Sequence, residues 1–324
     1  MPSWRNARPT SRVFRAGPEA GARDGMPANL RYWLLALRPK TLSVSVAPVL
    51  AGSALGWAQA GRLHVGVALA ALAAALLIQV GTNLHNDVAD HERGADDPRT
   101  RLGPPRATAE GWLTAAQVRR AAAAAFGLAL VIGLYLVAVG GWPILLLGLA
   151  SLAAGYLYTG GPRPLAYLGA GELFVLLFFG VAAVAGSAFL QSGRFSPAGL
   201  LLGLLLGLPA AGVLVVNNHR DRDNDARAGK RTLAVRFGPC FSRGLYAACL
   251  LGPFLLLAPL QAELGRGGWL PWLALPGALW LVWRFLRSPD PRTFNPLLGR
   301  TALFQLLLAL LLAVDLLAGP VGGG

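Results

Sequence analysis

The sequence predicts an all-α polytopic membrane protein with nine transmembrane helices. Three observations predict it. Hydrophobic residues make up 55% of the chain and charged residues only 14%, where a soluble domain carries about 25% charged. Apolar runs of roughly 20 residues, enough to cross a bilayer, recur along the whole length. The charges between those runs alternate: with the N-terminus inside, 26 of the 29 Lys and Arg residues fall in the inner segments, as cytoplasmic connections favour.

Taken in order, residues 1–31 are rich in Arg, Pro, Gly and Ala, without apolar periodicity, and read as a disordered basic tail. Met26 is the one methionine besides Met1, and marks an alternative start. A single helical domain then covers 32–319. Its expected spans are 33–58, 64–84, 115–139, 142–160, 166–190, 197–218, 241–261, 268–287 and 300–318. Arg62, Arg194 and Arg266 are the only basic residues left for the outer loops. Eight spans would put a basic loop outside. The net charge of +14 is thus a property of inner connections, and nucleic acid is not implied as a partner; the lipid bilayer is. Cys240 and Cys249 imply neither a disulfide framework nor a metal site.

Two acidic stretches stand where apolar runs end. In the first, Asn83, Asn86, Asp87 and Asp90 share about a third of a helix circumference. Like charges one turn apart repel by a few tenths of a kcal/mol, so a cation or strong donor belongs there. Gly94 can turn the chain so that Asp96 joins them. In the second, Asn217, Asn218, Asp221 and Asp225 form the same kind of stripe. Two such helix ends facing each other make a site for a divalent metal and a diphosphate. Oxygen donors without His or Cys favour a hard cation, Mg²⁺.

Cationic donors follow the second stretch. Arg220, Lys230 and Arg231 are placed to bind a metal-bound diphosphate and stabilise it as a leaving group. Lys40 and Lys230 are the only lysines beside 27 arginines, which points to sites that want a compact ammonium. Lys40, in Arg38-Pro39-Lys40-Thr41 at the mouth of the first span, either reaches the same cavity or anchors the interface. Tyr156, Tyr158 and Tyr167 flank a Gly- and Pro-rich inner turn. Their rings either stabilise a carbocation or anchor the membrane surface. Glu172, ionisable and just inside a span, is expected to face a cavity.

With both acidic stretches in place, the chain resembles the UbiA superfamily of intramembrane aromatic prenyltransferases over about residues 33–315. Asn86, Asp87 and Asp90 match that family's first motif, and Gly94 followed by Asp96 looks like the branch that prenylates 1,4-dihydroxy-2-naphthoate. Arg38 to Thr41, Gly103-Pro104-Pro105-Arg106, Gly169-Ala170-Gly171-Glu172 and Asn217 to Asp225 with Gly229-Lys230-Arg231 resemble further segments of that branch. The resemblance implies that the nine helices surround a central cavity open to the cytoplasmic side, with Mg²⁺-diphosphate binding by Asn86, Asp87, Asp90, Asp96, Asp221 and Asp225. It implies diphosphate-side donors in Arg106, Arg163, Lys230 and Arg231, joined by Asn83, Lys40 and Arg220, and an allylic-cation partner in Tyr158. Asp90, Asp221, Tyr158 and Lys230 are the expected catalytic residues.

The implied reaction transfers a polyprenyl group from an allylic polyprenyl diphosphate to 1,4-dihydroxy-2-naphthoate. CO₂ and diphosphate are lost and demethylmenaquinone results. It places the protein in the cell membrane as a multi-pass enzyme of menaquinone biosynthesis, with its active site facing the cytoplasm. Homogentisate or 4-hydroxybenzoate are the alternative acceptors. A membrane transporter is the alternative of a different class, against which the charge clusters stand at one face of the spans and not at mid-membrane.

Overall fold

A computed structural model describes residues 27–96, 98–265 and 267–318, and among these the chain is helical, without strands. Ten helices follow one another: α1 Ala28–Leu37, α2 Pro39–Ala60, α3 Val65–Glu92, α4 Ala115–Gly140, α5 Trp142–Leu157, α6 Gly171–Ser192, α7 Pro197–Arg227, α8 Leu233–Leu264, α9 Leu275–Arg287 and α10 Phe294–Ala318. Of the expected basic tail, residues 1–26, Met26 included, lie outside the described residues, and residues 28–31 belong to α1.

Among the described residues, seven helices are long and apolar enough to cross a membrane: α2, α3, α4, α6, α7, α8 and the segment Pro291–Ala318 that contains α10. The other two expected spans are shorter helices. α5 has 16 residues; α9 has 13, follows a 3₁₀ turn at Leu270–Ala274, and carries Arg284 and Arg287 in its last turn. The expected first span is divided in two. Arg38 sits in the left-handed region at φ 56°, ψ 62°, because Pro39 donates no N–H and disfavours a helical residue before it. The expected ends at 84 and 218 fall short, since α3 continues to Glu92 and α7 to Arg227. Both acidic stretches are therefore carried in helical register.

Helix α2 packs against α3, α6 and α10, while α7 packs against α6, α8 and α10; α4 lies between α3 and α5. The largest apolar core joins α2 with α6 to α10, and a smaller one ties the far ends of α2 to α6 together through Val49, Ala71, Ile144 and Leu190. Glycine sets the closest crossings. A Cβ on Gly180 of α6 would stand 2.5 Å from Gly207 Cα of α7, and one on Gly52 of α2 would stand 2.5 Å from the Val184 carbonyl of α6. Within a bilayer, where hydrophobic burial no longer drives helix association, such close backbone approach is a main source of contact energy. Around Gly180 the helix widens into a π turn, Leu177–Ala182, a form that recurs at functional sites. A cavity of about 380 Å³ lies between α2, α3, α4, α5, α6 and α7.

Candidate active site

The cavity has two chemically distinct ends. Apolar groups such as Leu130, Leu134, Ile144, Phe174 and Leu190 line one part of it. The other part is lined by the polar side chains of both acidic helix ends, so α3 and α7 deliver their Asn and Asp residues to one space. Asn83, Asn86, Asp90, Asp96, Asp221 and Asp225 all face it.

Asp90 is the hub. It is 3% exposed, and a carboxylate so buried needs partners. Lys230 Nζ stands 3.0 Å from its Oδ1 and Arg106 Nη2 3.4 Å from its Oδ2; the Tyr167 hydroxyl donates to Oδ1 at 3.3 Å. Lys230 also lies over the Tyr167 ring at 5.1 Å. Lys230 is steered there by the loop after α7, where its N–H donates to the Asp225 carbonyl and the Arg231 N–H to the Tyr167 carbonyl. Burial, then the Asp90 charge, push the Tyr167 phenol above its usual range.

Gly94, at φ 69°, makes the turn that brings Asp96 to the same cavity, as its spacing predicts. Asp96 pairs with Arg101 and lies 3.1 Å from Arg106 Nε. Burial raises its carboxyl above the ordinary value, against the pull of Arg101. The Arg106 contact lacks hydrogen-bond geometry, so Arg106 Nε and Nη1 and Asp96 Oδ2 are buried without hydrogen-bond partners. Unsatisfied buried donors on a cation cost about 1–3 kcal/mol each, which an anion in the cavity would recover.

Asp221 is held from behind. Arg220, its side chain 1% exposed, grips both Asp221 oxygens at 2.8 and 2.6 Å, Asn217 at 2.8 Å and Asn295 at 2.7 Å. Gly103 leaves the room this guanidinium fills, since a Cβ there would stand 2.6 Å from Arg220 Nη2. Arg220 thus orients the second acidic helix end and does not itself line the cavity. Glu172 does line it, and accepts from Asn218 Nδ2 at 2.9 Å.

Several expected site residues stand elsewhere. Asp87 is 1% exposed and off the cavity wall; its two oxygens accept the Ala107 and Thr108 N–H groups at 3.2 and 3.1 Å, which fixes the loop that carries Arg106. Lys40 is exposed and passes by Gly299 of α10. The break at Arg38 is the reason: it turns the Arg38 side chain into the cavity in place of Lys40. Burial and the neighbouring Arg101 hold the Arg38 guanidinium below its usual value, against Asp87, Asp96 and Asp90. Arg163 and Arg231 are exposed outside the cavity. Of the tyrosines, Tyr158 lines the cavity, whereas Tyr167 serves Asp90 and Lys230. Arg101, on the cavity wall and paired with Asp96, is a site residue that the motif spacing did not single out.

The donor set tests the expected metal. Among the described residues, no three His, Cys, Asp or Glu side chains stand together at metal-binding spacing, because Asp90, Asp96 and Asp221 are each drawn to a cation. The donor chemistry nevertheless fits a hard divalent cation. Asn86, Asp90, Asn217, Asp221 and Asp225, on two helix ends lining one cavity, can supply carboxylate and amide oxygens with no His or Cys among them.

A model of the UbiA prenyltransferase family matches residues 45–308. The chain belongs to the UbiA prenyltransferase family. Within that family it is 39% identical over 292 residues to the "1,4-dihydroxy-2-naphthoate octaprenyltransferase" of Escherichia coli (strain K12), covering 88% of this chain and 94% of that protein. It is 37% identical over 284 residues to the protein of the same name in Mycobacterium tuberculosis, covering 79% and 95%. The solved structure of a UbiA homolog from Archaeoglobus fulgidus bound to DMAPP and Mg²⁺ superposes with a TM-score of 0.60 at 17% identity, over 87% of this chain and 99% of that one. That last likeness establishes a common UbiA fold.

Proposed function

We propose that this UbiA-family chain is a prenyltransferase of menaquinone biosynthesis, acting on 1,4-dihydroxy-2-naphthoate with an allylic polyprenyl diphosphate as donor. The observation that carries the reading is the near full-length similarity to proteins named for this reaction. The cavity supports it, since it joins an apolar part suited to an isoprenoid tail with a part rich in guanidinium and carboxylate groups. The enzyme sits as a multi-pass protein in the cell membrane. In this reading α2 to α10 cross as nine segments, and the concentration of Arg and Lys in the connections on the side of the acidic helix ends supports a cytoplasmic orientation for that side.

In this mechanism Asn86, Asp90, Asp221 and Asp225 would hold Mg²⁺, with Asp96 close by and Asp87 bracing the Arg106 loop. Mg²⁺ bound there supplies neutralisation of the diphosphate charge that grows as the allylic C–O bond ionises. Arg106, Arg38 and Lys230 bind the diphosphate oxygens, so the electron pair of the broken bond leaves with the diphosphate. The apolar wall keeps water from the allylic cation, and the Tyr158 ring faces that cation. The ring carbon bearing the carboxylate of dihydroxynaphthoate then forms the new C–C bond. Its bond to the carboxylate breaks, CO₂ departs, and the released pair restores the aromatic ring. The product is the reduced, hydroquinone form of demethylmenaquinone; the quinone follows by a separate two-electron oxidation.

The test is an assay of purified protein in detergent with Mg²⁺, a polyprenyl diphosphate and a panel of aromatic acids, read by product mass. Prenylated product from dihydroxynaphthoate alone, with stoichiometric CO₂ and loss of turnover in EDTA, is the expected result. Product from homogentisate or 4-hydroxybenzoate instead would overturn the acceptor.

A further inference from the structure

A second polar cavity, of about 210 Å³, lies on the other side of α7 from the active site. Its wall comes from the charged end of α7, the start of α8 and the turn between α9 and α10. Three guanidinium groups line it, from Arg220, Arg222 and Arg243, with one carboxylate, Asp223. Arg220 is fully engaged with Asp221, Asn217 and Asn295, and Arg222 is 3.0 Å from Asp223. Arg243 is different. Among the described residues no carboxylate pairs with it, and its Nε is buried without a hydrogen-bond partner. His219 Nδ1, in the same wall, is also buried and unpartnered.

The His219 ring cannot simply turn away. It packs 4.9 Å from Phe285 and 5.0 Å from Phe294, and Phe285 in turn stacks on the fully buried Tyr246 at 4.1 Å. An aromatic cluster therefore holds one polar ring atom, next to an uncompensated guanidinium, without a partner inside the protein. A guanidinium N–H cannot be relieved by deprotonation, so an anion with several acceptor oxygens is the group that satisfies such a wall. A phosphate has that number of oxygens and suits the size of the space.

The surroundings indicate where the phosphate comes from. Phe237 and Phe241 lie beside Pro239 of the cavity wall, form a ring pair at 4.9 Å, and are 60% and 41% exposed. Exposed aromatics beside clustered arginines mark the membrane interface, and the Arg-rich face meets the leaflet that carries anionic lipids. We infer that this cavity binds the phosphate of an anionic phospholipid headgroup, through Arg243, His219 and Arg222, with the acyl chains running out beside Phe237 and Phe241. The inference rests on the cavity's geometry and on the inward orientation of the Arg-rich face, and is independent of which acceptor the enzyme prenylates.

Native mass spectrometry of the full-length protein in detergent, titrated with phosphatidylglycerol or phosphatidylcholine, tests it. The wild type should hold one phosphatidylglycerol in preference to phosphatidylcholine. Arg243→Gln should lower that occupancy about tenfold, the worth of one charge-assisted hydrogen bond. Arg287→Gln, which removes an equal charge from the outer surface of α9, should leave it unchanged. Arg222→Gln, at a side chain 34% exposed, is the second variant if Arg243→Gln does not fold, and should weaken binding in the same direction. Equal phosphatidylglycerol occupancy in wild type, Arg222→Gln and any folded Arg243→Gln would overturn the site. Titration with inorganic phosphate separates the sources: phosphate binding without phosphatidylglycerol preference would overturn the lipid and assign the site to free phosphate.

Discussion

Lys230 Nζ lies 3.0 Å from Asp90 Oδ1, so the loop that follows the second acidic helix closes directly onto the first. The two side chains are 13% and 5% exposed, and a pair so buried is costly to split: removing one partner typically destabilises by about 3–5 kcal/mol. Asp90→Asn should therefore abolish prenyl transfer and also lower the melting temperature. Product mass and a thermal melt on the same detergent-purified sample give both readouts. Unaltered turnover would remove Asp90 from the site.

Asp225 provides the contrast. It lines the cavity, but its carboxylate makes no ion pair among the described residues, and only its backbone carbonyl is used, by Lys230 N–H. Asp225→Asn should lose at least about 100-fold in turnover, a transition-state loss near 2.7 kcal/mol, while its melting temperature stays with the wild type. A fall in stability as large as that of Asp90→Asn would show that Asp225 is a structural group.

Arg38 and Lys40 should separate in the same way. Arg38 lines the cavity with a buried, unpartnered Nη2, whereas Lys40 is exposed. Arg38→Ala should raise the KM for the prenyl diphosphate about tenfold or more, as loss of a charged hydrogen bond does. Lys40→Ala should stay within about 0.5 kcal/mol of wild type in stability and keep its KM. The reverse pattern in steady-state kinetics would return the site to Lys40.

Gly180→Ala tests the helix crossing. The added methyl meets Gly207 backbone at 2.5 Å, and backbone cannot move aside as a flexible side chain does. Overpacking of this kind costs about 1–3 kcal/mol, visible as a lower melting temperature and earlier aggregation on size exclusion. Gly133→Ala, on the cavity wall with open space at its Cβ, is the matched control and should melt like the wild type.

Much of this architecture was legible in the sequence. Apolar run length and charge alternation located the helices, and the 3.6 period showed that Asn83, Asn86 and Asp90 could act together. What the spacing could not show is what each charged group meets across the fold. Asp87 shares the stripe with Asp90, yet the loop at Ala107 and Thr108 reaches it first. Arg220 looks like a substrate donor from its place beside Asp221, and becomes a clamp only because Asn295 and Gly103 come from distant segments. Lys40 was the more conspicuous residue by composition, but Pro39 hands the cavity to its neighbour. That signal was present in the Arg-Pro pair itself.

The pairing of Asp90 with Lys230 and Arg106 has a consequence for how ligands arrive. Under the proposed function, two of the cationic groups that a diphosphate needs, Lys230 and Arg106, are neutralised by Asp90, a carboxylate that a divalent metal needs. A metal alone must break Asp90 from its basic partners and leave them stranded, and a free diphosphate alone must strand Asp90. Bound together, they exchange one set of ion pairs for another and strand nothing. The resting protein is then a lock with two keyholes, in which either ligand strengthens the grip on the other by the same factor. After transfer, re-formation of the Lys230–Asp90 pair would compete with both ligands at once and so would favour their release together.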